Sequence, residues 1–278
     1  FDHRPLVMGI VNVTPDSFSD GGCFQDTEAA VEHGLRLIDE GADIIDVGGE
    51  STRPGARPVS FEEEISRAVP VIARLSNRPV PISIDTMKPA VAIAAIEAGA
   101  AIVNDVGGFR DPEMIKAVVH HRTGVIVMHM QGTPQTMQQA PIYADVVREV
   151  GEFFEVQLRV LEKSGIQREA ICLDPGIGFG KTVDHNLTLI ANLGSFARFE
   201  RPICLGVSRK GFIGSLCGRK QGERMPGSLA VACFAAARGE AHVLRVHDVA
   251  PTRDAALLLR AIDTHRAPAQ DLLQSSPD

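Results

Sequence analysis

The sequence lacks tryptophan and has a single tyrosine among its 278 residues. Both side chains are favoured where proteins stack against bases or sugars, so their scarcity argues against an aromatic-rich recognition surface. The formal net charge of −7 argues against general nucleic-acid binding, which depends on a basic surface. Any anionic ligand must therefore be held by a few cationic side chains that the fold brings together.

Long apolar runs are also missing. No run approaches the ~20 residues that a helix needs to cross a bilayer, and no signal-peptide pattern stands at the start. The first residue is Phe1 rather than Met, so we expect that some preceding residues were removed or left out. The five cysteines are scattered, without a CxxC pair or a Cys/His cluster at zinc spacing. We predict a soluble cytoplasmic protein with reduced thiols, no zinc site and no membrane partner.

What the chain does contain is a repeated alternation of short apolar strands and helices. The predicted strands are 6–13, 44–47, 81–84, 101–103, 125–128, 170–173, 203–207 and 242–246. Short strands buried on both faces and alternating with helices indicate a parallel α/β sheet, and eight of them indicate a closed (β/α)8 TIM barrel. An open, doubly wound sheet is the alternative. We predict one barrel domain over residues 5–265 and a mobile tail over 266–278.

Local signals place some of the helices. Ser60 with Glu63 three residues later is a capping-box pattern and predicts a helix start. Apolar residues at helical spacing predict a long helix over about 142–163. The last predicted helix, 252–262, carries more apolar side chains than one buried face requires, which favours a subunit contact.

Polar side chains follow each predicted strand at the end where active sites of this barrel class lie. After the second strand, two glycines allow close approach of a ligand, and the following hydroxyls with Arg53 suit phosphate oxygens. Carboxylates and amides after strands three, four and six can pair with the amine and ring nitrogens of a flat heterocycle. The candidate rim residues are Asn12, Thr52, Arg53, Asp85, Asn104, His129, Asp174, Lys210, Arg245 and His247.

Two other patterns, a glycine-rich segment and the spacing of the histidines, do not match the known functional motifs that they were compared with. The segment from Gly176 to Thr182 resembles a phosphate-binding P-loop, but its first glycine is one residue too close to Gly180-Lys181. We interpret it as a flexible floor around Asp174, with Phe179 as a stacking group. The histidines form neither H-x-H nor H-E-x-x-H, which argues against a hydrolase with protein-held zinc.

Five motifs carry a family resemblance: MGIVNVTPDSFSDGG (8–22), IDVGGESTRPG (45–55), LDPG (173–176), SRK (208–210) and RVH (245–247). In this order they resemble the dihydropteroate synthases, the pterin-binding enzymes of bacterial folate synthesis, over nearly the whole chain. The resemblance implies the same barrel, usually as a homodimer. It also implies a reaction that joins p-aminobenzoate to 6-hydroxymethyl-7,8-dihydropterin diphosphate with Mg2+ and releases pyrophosphate.

The resemblance also implies roles for individual residues, with Asp85, Lys210 and Arg53 as catalytic groups and Asn12 as a Mg2+ ligand. The pterin would be bound by Asp85, Asn104, Met128, Asp174, Phe179, Lys210 and Arg245. The diphosphate would be held by Thr52, Arg53, Arg245 and His247. The p-aminobenzoate pocket, where sulfonamides would bind as mimics, would be shaped by Phe18, Thr52, Pro54, Phe179 and Lys210. Loops 14–22 and 53–60 would close over the site.

One position departs from the family pattern. Gly211 follows the SRK motif, where many members carry serine or another side chain. If that side chain meets the p-aminobenzoate carboxylate in the family, a backbone N–H must do so here. Loss of a Mg2+-bound pyrophosphate would leave a resonance-stabilised cation, which indicates a dissociative step with Asp85 stabilising the charge.

Three other functions fit parts of the pattern. The nearest is a pterin-binding barrel that transfers a methyl group from methyltetrahydrofolate to a corrinoid. The others are a non-catalytic pterin-binding relative and a sugar-phosphate aldolase with Lys210 as a Schiff-base lysine.

Overall fold

The structure, a computed structural model, describes residues 4–14, 22–52 and 55–265. Phe18, Arg53, Pro54 and the predicted tail 266–278 lie outside the described residues, as do parts of the two predicted closing loops. What the sequence predicts for them stays a prediction.

The described residues form eight strands that alternate with helices. The strands are β1 Leu6–Asn12, β2 Ile44–Gly48, β3 Ile82–Asp85, β4 Ile102–Asp105, β5 Gly124–Met128, β6 Ile171–Asp174, β7 Cys204–Leu205 and β8 Val243–Val246. The helices are α1 Gly22–Asp39, α2 Phe61–Leu75, α3 Pro89–Glu97, α4 Pro112–His121, α5 Val146–Lys163, α6 Val183–Ala191, α7 Gly211–Cys217, α8 Met225–Ala237 and α9 Val249–Asp263. No helix within these described ranges is long and apolar enough to cross a membrane.

The strands form one parallel sheet in the order β6-β5-β4-β3-β2-β1-β8-β7. A parallel bridge between Leu173 and Ile203 joins β6 to the segment before β7 and so closes the ring. The predicted (β/α)8 TIM barrel is therefore confirmed, and the open-sheet alternative is wrong. β7 is shorter than predicted: the Ile203 N–H donates to His242 Nδ1 at 3.0 Å rather than to a neighbouring strand, and Gly206 already lines the cavity at the rim.

The barrel interior changes from apolar to polar toward the C-terminal ends of the strands. Alternate residues along each strand point inward. A lower group contains Met8, Ile44, Ile126, Cys204 and Val243, all buried. Above it, Asp46 stands beside Ser83 in the β2–β3 register, and Asp85 stands beside Asn104 in the β3–β4 register. The apolar lower end thus supports a polar layer directly beneath the rim.

Two helix starts show which local signals decide a boundary. α2 begins after Ser60 as predicted, and the Ser60 hydroxyl accepts from Glu63 N at 3.2 Å. The Glu63 side chain instead pairs with Arg67 of the same helix. α5 begins at Val146 rather than near 142, because the Asp145 carboxylate caps it by accepting from the N–H groups of Val147 and Arg148.

Candidate active site

A cavity of about 740 Å³ opens at the C-terminal ends of the strands, within the size range of small-molecule sites. Seven of the predicted site residues line it together: Asn12, Thr52, Asp85, Phe179, Lys210, Arg245 and His247. They come from strand ends and loops spread along almost the whole chain. The closed barrel brings them to one mouth.

Four further candidates are buried at the same strand ends but do not line the cavity. Asn104 donates from Nδ2 to Asp46 Oδ2 at 3.2 Å, and Asp174 Oδ1 accepts from Gly176 N at 2.7 Å. Met128 packs with Met137, Phe179 and neighbouring apolar side chains, and His129 faces Lys181. Pterin contacts by Asn104, Met128 and Asp174 stay predictions.

Arg245 lies between two buried carboxylates at the floor of the cavity. Its Nε is 2.5 Å from Asp46 Oδ2, and its Nη2 is 2.5 Å from Asp85 Oδ2. Burial raises the pKa of Asp85 to about 7, although the positive charge of Arg245 opposes this. Burial disfavours the charge on Arg245, but Asp46 and Asp85 together raise its pKa above the ordinary value. The floor therefore holds one guanidinium shared by two acids.

Asp46 was missed by the sequence analysis, although it lies within the motif after the second predicted strand. A charged residue in an otherwise apolar, fully buried strand is a signal, because burying a carboxylate without a partner is costly.

Lys210 also lies at the cavity floor, against the glycine-rich segment. Burial lowers its pKa to about 8, while the Asp174 carboxylate opposes that change. Its Nζ donates to the Ile177 carbonyl and lies 4.5 Å from the centre of the Phe179 ring. A side chain at Gly206 would come within 4 Å of both Lys210 Nζ and Asp174 Oδ2. Glycine at that position keeps this part of the floor open.

The segment from Gly176 to Gly180 is held in place by hydrogen bonds and by close backbone packing. Gly178 N donates to Asn186 Oδ1 at 2.7 Å, and the Tyr143 hydroxyl donates to Gly180 O at 2.9 Å. Gly176 has a φ of +67°, and a Cβ there would be only 1.9 Å from His129 O. These contacts hold a segment that the sequence predicted to be flexible, and they fix the position of Phe179 in the cavity wall.

Lys181 was also missed, because its motif was set aside as an imperfect P-loop. The side chain is buried yet reaches the cavity wall, and Nζ donates to Phe179 O at 2.9 Å. The same Nζ is 3.0 Å from His129 Nδ1. Burial lowers the pKa of His129 to about 2, so the imidazole is neutral and Nδ1 can accept this hydrogen bond. Lys181 thus ties the end of β5 to the Phe179 loop.

The remaining wall offers hydroxyls, an amide and an imidazole. Ser51, Thr52 and Asn12 lie at the ends of β2 and β1, and His247 follows β8. His247 Nδ1 is 2.9 Å from Ser208 Oγ, and the His247 backbone N–H donates to the same oxygen at 3.2 Å. Ser208 therefore fixes the orientation of the ring. Such a set suits the oxygens of a phosphate group.

At the outer edge, Gly211 opens α7 next to Lys210. A Cβ built on Gly211 would have nothing within 4 Å, so the space above it is open to a ligand.

Comparison with known proteins identifies the family. The model of the family described as "Pterin binding enzyme" matches residues 8–247. The dihydropteroate synthase of Escherichia coli K12 is 48% identical over 259 residues, which covers 93% of this chain and 92% of that protein.

Solved structures agree with this match. The dihydropteroate synthase of Xanthomonas albilineans with 4-aminobenzoic acid has a TM-score of 0.90 at 48% identity, covering 95% of each chain. The same enzyme with 7,8-dihydropteroate has a TM-score of 0.87 at 46% identity, covering 96% of each chain. The Yersinia pestis dihydropteroate synthase with a sulfonamide drug complex has a TM-score of 0.89 at 42% identity, covering 94% of this chain and 95% of that one. The chain therefore belongs to the pterin-binding enzymes and, within them, to the dihydropteroate synthases.

Proposed function

We propose that the chain condenses p-aminobenzoate with 6-hydroxymethyl-7,8-dihydropterin diphosphate to give 7,8-dihydropteroate and pyrophosphate, a step of folate synthesis. The observation that carries the proposal is the buried Asp85–Arg245 pair at the floor of a cavity whose wall carries Lys210, Thr52 and His247. Acids at the floor suit a pterin, and the hydroxyl and imidazole groups at the wall suit a diphosphate. The X. albilineans enzyme has been solved with 4-aminobenzoic acid and with 7,8-dihydropteroate, and these structures support p-aminobenzoate as a substrate and 7,8-dihydropteroate as the product.

The leaving diphosphate would be held by Thr52, Arg245 and His247, together with Arg53. Within the described residues no group of three or more His, Cys, Asp or Glu side chains is placed to hold a metal ion. Asn12 offers one amide oxygen, and Mg2+ is commonly held by one or two protein groups plus phosphate oxygens and water. These residues fit a Mg2+ ion that arrives with the diphosphate. When bound, it would neutralise charge on the departing oxygens.

The bond changes proposed for the reaction are simple. The C–O bond between the pterin CH2 group and the diphosphate breaks, and its electron pair leaves with pyrophosphate. The ring cation that remains would be stabilised by Asp85, because its carboxylate interacts more strongly with the positively charged state than with the neutral substrate. The neutral amine of p-aminobenzoate then forms the C–N bond and loses one proton to solvent. A weakly basic aniline needs no strong general base, and none of the described cavity residues is required to act as one.

The p-aminobenzoate ring would lie against Phe179 and the apolar stem of Lys210, near Thr52. Its carboxylate would meet the backbone N–H of Gly211 at the start of α7, where the helix terminus favours an anion. Phe18 and Pro54 stay predicted contacts. The Y. pestis complex supports sulfonamides as inhibitors at this site. The relatives described above are dihydropteroate synthases, which favours this reaction over corrinoid methyl transfer.

A homodimer stays a proposal that rests on the exposed face of α9 and α8. Leu258 and Ile262 are 64% and 66% exposed, and Leu257 and Phe234 are also exposed. Covering such side chains would stabilise a dimer. Light scattering measures the oligomeric state directly.

A cytoplasmic location stays a prediction; the cysteines at 172, 204, 217 and 233 carry no disulfide.

The test is a turnover assay with both substrates and Mg2+. The proposal predicts equal amounts of pyrophosphate and 7,8-dihydropteroate, both dependent on p-aminobenzoate. Pyrophosphate release without any dihydropteroate, or methyl transfer to a corrinoid, would contradict it.

A further inference from the structure

Asp46 is the least expected charged residue in the barrel. It is fully buried in the middle of β2, where every other residue is apolar or glycine. Its Oδ2 accepts from Arg245 Nε at 2.5 Å and from Asn104 Nδ2 at 3.2 Å, whereas Oδ1 has no hydrogen-bond partner among the described residues. Burial of an incompletely satisfied carboxylate weakens a fold, so stability alone gives no reason for this residue.

Asp46 and Asp85 compete for the same cation. Arg245 gives Nε to Asp46 and Nη2 to Asp85, so two carboxylates face one guanidinium. Asp85 Oδ1 and the neighbouring Ser83 Oγ also lack hydrogen-bond partners in the described part of the chain. The extent to which Arg245 neutralises the Asp85 carboxylate therefore depends on its competing ion pair with Asp46.

We propose that Asp46 is a positioning residue of the reaction: it anchors Arg245 through Nε so that Nη2 meets Asp85, and its charge withholds part of the guanidinium charge from Asp85. The proposal rests on the proposed function. Asp85 is then left incompletely neutralised before the substrate binds. It interacts with the cationic pterin ring more strongly than a carboxylate fully paired with arginine would.

The electrostatic effects on Asp85 agree with an Arg245 charge that is shared between Asp46 and Asp85. Burial raises the pKa of Asp85, Arg245 on β8 lowers it, and Asp46 on β2 raises it again. Glu64 on α2 and Asp105 on β4 act in the same direction as Asp46, and Lys210 is a further cation near Asp85. Asp46 is the one of these acids that also binds the guanidinium of Arg245.

The test is Asp46→Asn, which keeps the side-chain shape and an oxygen that can accept from Arg245 Nε but removes the charge. The pKa of Asp85 should fall, since a repelling charge is lost and Arg245 is no longer shared. The acidic limb of the kcat/KM profile for the pterin diphosphate should therefore move to lower pH by about one unit or more. A uniform loss of activity at every pH, with the limb in its place, would overturn the proposal.

Asp43→Asn is the matched control. Asp43 also pairs with an arginine, Arg4, through two 2.7 Å bonds, but it lies just before β2 at the opposite end of the barrel. Its profile should match that of the unmodified protein. If the unmodified protein makes no dihydropteroate, the proposed function fails; if it does and the Asp46→Asn limb stays in place, only the role of Asp46 fails.

A second measurement needs no substitution and decides the matter if Asp46→Asn does not fold. Nitrogen-15 NMR can follow the Arg245 side chain across the pH range in which Asp85 titrates. The Nε–H signal, held by Asp46, should keep its position while the Nη2 signal shifts with the protonation of Asp85. Shifts of both signals together would overturn the division of roles.

Discussion

Arg245 Nη2 lies 2.5 Å from Asp85 Oδ2, at the point where the apolar barrel interior gives way to a polar floor. The pair joins β8 to β3, two strands separated by β1 and β2 in the sheet. A closed ring is what allows side chains from these strands to meet across the interior. The chemistry proposed here depends on this contact, because a pterin bound at the cavity floor would meet a carboxylate with a cation already in position.

The first prediction concerns Asp85→Asn. If the carboxylate stabilises the ring cation, kcat should fall far more than affinity for the pterin. Loss of one charged contact of about 2–3 kcal/mol corresponds to a fall of roughly 30- to 150-fold in kcat. Steady-state kinetics and calorimetric titration of the pterin measure the two effects separately. Equal losses in rate and affinity would rule out this role for Asp85.

The second prediction concerns pH. Burial raises the pKa of Asp85 to about 7, so the ionised carboxylate and the kcat/KM that depends on it are lost as the pH falls through that value. Burial lowers the pKa of Lys210 to about 8, so its positive charge is lost as the pH rises through that value. The kcat/KM profile should therefore be bell-shaped, with its maximum between the two.

Lys210→Arg separates the two limbs of that profile. Arginine does not deprotonate in this range, so the alkaline limb should disappear while the acidic limb keeps its position. An alkaline limb that persists in Lys210→Arg would assign it to a different group.

The third prediction compares two glycines with nearly the same positive φ. Gly176 has a φ of +67° and Gly239 a φ of +68°. A Cβ at Gly176 would lie 1.9 Å from His129 O, whereas one at Gly239 would have nothing within 4 Å. Gly239→Ala should cost about 1 kcal/mol of unfolding free energy from backbone strain alone, and Gly176→Ala clearly more. Urea unfolding measures both; equal costs would show that the segment adapts to a side chain.

The fourth prediction concerns Gly211→Ser. The position has open space and begins α7, so serine should fit without loss of stability. A hydroxyl that donates to the p-aminobenzoate carboxylate should lower its KM by roughly three- to tenfold, the effect of one additional hydrogen bond with a net contribution of about 0.7–1.4 kcal/mol. Gly222→Ser, also in open space, is the control and should leave KM unchanged. An unchanged KM for both variants would place the carboxylate elsewhere.

The barrel was predictable because its strands repeat one pattern, short and apolar with polar residues at the C-terminal end. Most strand bounds differ from prediction by one or two residues, and β7 is shorter because the Ile203 N–H bonds to the His242 side chain and Gly206 already lies at the rim. The site was predictable where a residue ends a strand, as Asn12 and Asp85 do, or directly follows one, as His247 does. Asp46 was not predicted as a site residue because it lies inside a strand and its partner Arg245 is distant in sequence.

The role of Lys181 was not predicted, for a different reason. Its function in the structure comes from His129 and Phe179, which a spacing rule for P-loops does not consider. Sequence spacing identifies residues that face a common ligand, but it does not reveal which buried groups hold those residues in place.

In the proposed reaction one cavity would bind the diphosphate and the aromatic amine, and the bound diphosphate would organise the site for the amine. Calorimetric titration of p-aminobenzoate, with and without pyrophosphate and Mg2+, tests this most directly. We expect p-aminobenzoate to bind only when both are present. Equal affinity in their absence would contradict it.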